Sequence, residues 1–259
     1  MPRAIWKGVL RVGGARVPVA LVSAVVDRDV HFRLLHEKDR TPIRQRLVAG
    51  DGGEEVPVAA ARKGFPVAPG VFVVLTKDEL DALEPPDARD IEVLRFVPPA
   101  AIGFEWYERP YWLVPGKGAE REYVALAEAL AKTGRTGIVR WVMRDREHVG
   151  ALAARERRLL LVTLRFADEV ISRRDLEPPP TRPPTEGELR LARQLVAALE
   201  APFDPDVYRD THRERVLALI QAKAKGRKPH LRRPRRRAEA RSLEAALRAS
   251  LSRKERKRA

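Results

Sequence analysis

A β-rich fold, either a barrel or a sandwich carrying insertions, is what this sequence predicts, on three observations. Short runs dense in branched and aromatic residues recur along the chain, separated by Gly, Pro and charged turn material. Few stretches carry a helical period. The clearest runs, within 134–166, follow one another as a three-strand antiparallel meander: residues 136–144, 148–155 and 159–164. On a period of two, Val139, Trp141 and Met143 share one face, while Arg140, Arg144 and Arg146 share the other. The first face suits a core, and the second suits solvent or an anionic partner. Ile138, Trp141 and Val142 also cluster at helical spacing, but the flanking glycines and the apolar run that follows favour strand.

In chain order, residues 4–12, the pair Gly13-Gly14 and residues 17–22 read as a hairpin whose glycines supply positive φ. Val30, Phe32 and Leu34 alternate with His31 and Arg33, which predicts another strand, and Arg44 and Arg46 share a strand face further on. Residues 50–53 form a turn. Arg62, Lys63, Gly64 and Phe65 lead into Val71–Leu75, a near-continuous apolar strand. Thr76 with Glu79 has the spacing of a capping box, which starts a short helix over 77–83 that Pro85-Pro86 ends. Residues 91–97 and 107–115 are strands, and 121–132 is an amphipathic helix with Tyr123, Leu126, Ala127 and Leu130 on one face.

Five prolines within 177–184 predict an extended linker after a core of residues 1–176. Beyond it, Thr185 and Glu188 form a second capping box for a helix with Leu189, Ala192, Leu195, Val196 and Leu199 inward. Asp204 as N-cap and Pro205 at the first helical position open another, whose apolar side is Tyr208, Val216, Leu219 and Ile220. Residues 185–225 are too few to bury these faces alone, so this helical arm requires something to dock on. The remainder, 226–259, is an Arg-rich tail expected to be disordered, with Leu243, Leu247 and Leu251 aligned at helical spacing.

Charge narrows the function. The formal net charge is +15, and from Arg227 onward there are 14 Lys+Arg against 3 Asp+Glu, so the tail alone carries +11. Such a density condenses on polyanions, which favours nucleic acid over a merely solubilising role but supplies no sequence specificity. There is no cysteine, which excludes disulfides, thiolate metal sites and a thiol nucleophile. The five histidines lack ligand spacing, and neither a phosphate loop nor a G-x-S-x-G motif occurs. No leader or membrane-spanning run is read, so a soluble cytoplasmic, nucleoid-associated protein is expected. The complete lack of asparagine fits a thermophile or a high-GC genome equally.

Taken as a series, Ala4-Ile5-Trp6-Lys7-Gly8, Val17-Pro18-Val19, His31-Phe32, Lys63-Gly64, Val74-Leu75-Thr76, Ile91-Glu92-Val93, Tyr111-Trp112-Leu113, Thr133-Gly134-Arg135 and Phe203-Asp204-Pro205 resemble the prokaryotic Ku family in order and spacing, over about residues 3–225. The resemblance implies a β-barrel core with a long insertion, about 38–115, that forms half of a ring. It also implies a homodimer that closes the ring around a double-stranded DNA end, and recruitment of an ATP-dependent DNA ligase for non-homologous end joining. No catalytic residue, cofactor or metal is expected. A unit of about 225 residues has a radius of gyration of roughly 17 Å, so two chains are needed to surround a duplex. A sliding ring should touch phosphates, for which the candidates are Lys38, Arg44, Arg46, Arg62, Lys63, Arg140, Arg144 and Arg146, with Arg232, Arg233, Arg235, Arg236 and Arg237 in the tail. Each also fits plain surface. The partner-binding candidates are Tyr208, Val216, Leu219 and Ile220. The competing readings are a sequence-independent architectural DNA- or RNA-binding protein without a ligase partner and, third, a metal-dependent nuclease.

Overall fold

The computed structural model describes residues 3–50, 53–83, 89–177 and 183–226. In order, its regular elements are strands β1 (Trp6–Val12), β2 (Ala15–Ser23), β3 (Val48–Ala49), β4 (Glu54–Glu55), β5 (Lys63–Ala68) and β6 (Val71–Leu75); helix α1 (Lys77–Ala82); strands β7 (Asp90–Val97) and β8 (Tyr107–Pro115); helix α2 (Glu120–Thr133); strands β9 (Thr136–Met143), β10 (Arg146–Arg155) and β11 (Arg158–Leu164); and helices α3 (Glu186–Leu199) and α4 (Thr211–Ala224). The chain forms two compact units, Met1–Arg28 with Arg33–Asp175, and Asp29–Phe32 with Leu176–Ala259.

The first unit is built on a closed barrel with strand order β1-β2-β8-β11-β10-β9-β7. Of the two sequence alternatives, barrel and sandwich, the barrel is the one formed. It closes because β1 pairs antiparallel with β2 and parallel with β7, where Leu10 sits opposite Ile91. Every barrel strand contributes to one core, with Leu10, Leu21, Ile91, Leu113, Trp141, Leu152 and Leu161 all essentially inaccessible. The meander read from 136–164 is present as β9, β10 and β11, and its alternation holds: Val139, Trp141 and Met143 are buried while Arg140 faces out.

Helix α2 supplies Tyr123, Ala127 and Leu130 to the same core, on the face expected. It ends at Gly134, which takes the left-handed φ of 60° and returns its N–H to the Leu130 carbonyl. The Tyr123 hydroxyl donates to the Leu113 carbonyl at 2.6 Å and accepts the Leu159 N–H at 2.8 Å. One phenol thus satisfies two backbone groups on neighbouring strands that register Leu159 against Leu113. Burial pushes its pKa up.

Several sequence expectations need correction. Asp90–Val97 and Tyr107–Pro115 are barrel strands, so the insertion between barrel strands spans 24–89 rather than 38–115. Residues 30–34 form no strand, because period-two alternation makes a strand only where a partner ladder exists, and here only Leu35 and Pro42 bridge. Arg44 and Arg46 likewise lie in irregular backbone. In the second unit, Asp204-Pro205 starts a single 3-10 turn instead of a helix, and α4 begins after Asp210, whose carboxylate accepts the Arg213 N–H at 2.9 Å. Two aspartate caps compete there, and the one followed by an uninterrupted helical run wins. Both capping boxes form: Thr76 with Glu79 opens α1, and Thr185 with Glu188 opens α3. The Thr76 contacts hold the Glu79 carboxyl below its ordinary pKa.

Candidate nucleic-acid interface

Residues 24–89 leave the barrel after β2 and rejoin it at β7, and among their described members none is buried. Two short ladders give this excursion its order, β3 with β4 and β5 with β6. Lys38, Arg44, Arg62 and Lys63 all lie on it, exposed. Lys38, Arg44 and Lys63 enter no ion pair among the described residues, whereas Arg62 donates to the Ala59 and Ala61 carbonyls and Arg46 pairs with Glu55 at 2.7 Å. Near Lys38, the Asp39 carboxylate accepts from the Thr41 N–H and hydroxyl and contacts His36 at 2.9 Å, and these contacts hold its pKa below the usual range.

The hairpin β5–β6 carries the feature that sequence reading missed. A five-residue apolar run such as Val71–Leu75 reads as a strand buried on both faces, yet Phe65, Phe72 and Val74 are each more than half exposed. In register, Phe65 faces Val73 and Pro66 faces Phe72, so both faces of an isolated two-strand ribbon are apolar. The signal was present in the sequence as an apolar run with one obvious pairing partner and no third strand to cover it.

The three meander arginines do not form one basic face. Arg140 points outward between Glu92 and Glu147, at 3.3 and 3.8 Å, so its charge is matched. Arg144 and Asp145 are the two central residues of the β9–β10 turn, both at positive φ, and that turn resets the alternation. Arg146 therefore registers opposite Met143, on the side away from Arg140. Other barrel arginines are matched in the same way: Arg11 and Arg16 approach Asp90, and Arg157 meets Glu128.

In the second unit, Tyr208 precedes α4, is 71% exposed and stacks on Phe203 with ring centroids 5.8 Å apart. Val216 and Leu219 are half-buried and Ile220 is exposed, as are Val196 and Leu199 of α3. These helices thus carry apolar residues that the described structure leaves open to solvent. The tail arginines Arg232, Arg233, Arg235, Arg236 and Arg237, the turn residues Asp51 and Gly52, Pro85-Pro86, most of the proline-rich linker and the aligned leucines of 242–251 lie outside the described residues. Among the described residues, no helix is long and apolar enough to cross a membrane and no cluster of three or more His, Asp or Glu is placed to hold a metal.

Residues 11–191 match the family model described as the Ku70/Ku80 beta-barrel domain. The chain is 40% identical over 227 residues to the non-homologous end joining protein Ku of Anaeromyxobacter sp. (strain K), covering 87% of this chain and 77% of that one. It is 33% identical over 228 residues to the protein of the same name from Archaeoglobus fulgidus, covering 87% and 89%, and 35% identical over 231 residues to that from Mycobacterium tuberculosis, covering 86% and 84%. A barrel closed by a parallel β1–β7 pair, a long uncored excursion between β2 and β7, and matches spanning most of both chains agree, and the chain belongs to the Ku family.

Proposed function

We propose that this protein binds double-stranded DNA ends without reading their sequence, as a ring-shaped homodimer, and recruits an ATP-dependent DNA ligase for non-homologous end joining, with no catalysis of its own. One observation carries the reading. The excursion over 24–89 has no buried residue among those described, but it bears an apolar ribbon and unpaired cations. A ribbon apolar on both faces needs a protein surface, and a second copy of the same chain is the simplest supplier, since twofold dimers are the commonest assemblies. Cations left without carboxylate partners suit phosphates better than the paired Arg11, Arg16 and Arg140 of the barrel do. Lys38, Arg44, Arg62 and Lys63 are therefore the phosphate contacts of choice, and Arg232, Arg233, Arg235, Arg236 and Arg237 extend that role into the tail. The arm of 185–225, with Tyr208, Val216, Leu219 and Ile220, is assigned to the sister subunit or the ligase, because its exposed apolar residues call for an apolar partner.

The test is a gel-shift comparison of one duplex sequence in linear and covalently closed circular form, at matched salt. A closed ring loads only through an end, so the linear form should shift and the circle should not. Equal binding to both would replace the ring by a surface binder of the architectural kind, and magnesium-dependent strand loss would replace it by a nuclease.

A further inference from the structure

At one end of the barrel lies a cavity of about 620 Å³ whose walls include Trp6, Lys7, Asp81, Met143, Arg144 and Asp145. It combines an aromatic wall with charges of both signs. Four arginines on the outer barrel, Arg11, Arg16, Arg140 and Arg157, stand against carboxylates. By contrast, the side chains of Lys7, Arg144 and Asp145 enter no hydrogen bond or ion pair among the described residues, and Asp81 has only a loose contact of 4.0 Å with Lys77. Trp6 is half-buried and packs against the core. Its ring lies across Gly8, where an added Cβ would clash with the indole. The indole therefore lies against the barrel backbone and forms one wall of the cavity.

We propose that this cavity binds a single nucleotide, and specifically the unpaired terminal nucleotide of a DNA strand. Each wall answers one part of that ligand. The Trp6 indole offers a stacking surface for a base. The ammonium of Lys7 and the guanidinium of Arg144 supply charge-assisted donors for a phosphate. The carboxylates of Asp81 and Asp145 are acceptors that a bare anion would find repulsive, but that base amino groups or sugar hydroxyls satisfy. The volume falls in the ordinary range of small-molecule sites, about 300–1,000 Å³. Arg144 and Asp145 also hold positive φ, which glycine or asparagine adopts more readily. The next hairpin turn, Glu156-Arg157, has the same positive-φ geometry, so the turn fixes where the two side chains start without marking them out.

The experiment uses the full chain and free dAMP as the probe, followed by saturation-transfer NMR and calorimetry, with inorganic phosphate and deoxyribose 5-phosphate as controls. Saturable dAMP binding is expected, at least about tenfold tighter than either control, as loss of stacking and base contacts implies. The double variant Lys7→Ala/Arg144→Gly should weaken it by a further factor of about ten, and because glycine suits the turn this variant keeps the barrel. A second arm distinguishes the free nucleotide from a strand terminus: 2-aminopurine at the tip of a single-stranded overhang should be quenched by the wild-type chain and not by Trp6→Leu. Phosphate binding as tightly as dAMP would overturn the proposal in favour of a plain anion site, and absence of saturable dAMP binding would overturn it outright. Neither result touches the ring, since the preference for linear over circular duplex is read separately.

Discussion

Tyr123 shows how much one side chain can decide. Its hydroxyl is the acceptor for the Leu159 N–H and the donor to the Leu113 carbonyl, both beside fully buried leucines. Tyr123→Phe preserves the ring but leaves both backbone groups without partners, and an unsatisfied buried group costs about 1–3 kcal/mol. The urea midpoint should fall accordingly with an unchanged m-value; an unaltered midpoint would mean that water replaces the phenol. Asp39 makes a different prediction, about pH. Its folded pKa is depressed by the Thr41 and His36 contacts, so the order those contacts give residues 36–41 is present above the ordinary aspartate range. That order is lost as pH falls through the depressed value. Amide shifts of Thr41 followed by NMR should move in acid, and Asp39→Asn should show the acid-state shifts already at neutral pH.

Among the elements, the hairpin β5–β6 and helix α3 illustrate two kinds of incompleteness. The hairpin is exposed on both faces and makes no contribution to the core. Phe65→Asp/Phe72→Asp should therefore leave the thermal midpoint of the barrel unmoved, because substitutions at exposed sites rarely exceed about 0.5 kcal/mol. The same variant should sediment as a monomer and lose the preference for linear duplex. A variant that still dimerises would assign the apolar ribbon to another partner. Helix α3 is begun by a reciprocal cap, with Thr185 Oγ1 donating to the Glu188 carboxylate at 2.8 Å, yet it has no buried residue. Deleting from Thr185 onward should leave a folded barrel that fails either in dimerisation or in stimulating the ligase. If both survive, the helical arm has a third role.

For the whole molecule, the uneven charge separates the two roles proposed above. The proposed ring would need only enough phosphate contact to hold a duplex loosely, whereas the tail from Arg227 carries +11 and would act by charge alone. Each phosphate neutralised contributes about −0.9 to the slope of log K against log salt, so if half of the tail's excess engages, its removal should flatten that slope by roughly 4 to 6. The truncated protein should keep its preference for linear duplex while losing affinity at low salt. An unchanged slope would free the tail for partner binding, and a lost end preference would unseat the ring.

What the sequence by itself determined depends on near neighbours, although one such signal, Asp204-Pro205, opens only a single 3-10 turn. The two capping boxes, the Gly13-Gly14 hairpin, the β9–β10–β11 meander and the buried face of α2 all rest on residues within a few positions of each other, where spacing and propensity act directly. The motif series also carried the family. Tertiary structure decided whatever required distant partners. Arg140 reads as a free basic residue until β7 brings Glu92 beside it, and Arg146 leaves that face only because a two-residue turn intervenes. Leu10 meets Ile91 across a parallel closure that no local pattern announces. Val71–Leu75 has the composition of a core strand, but the barrel closes without it and the run stays in water. Hydrophobicity specifies that a surface must be covered; only the closed topology of the barrel settles which surfaces the chain covers itself and which it leaves for a partner.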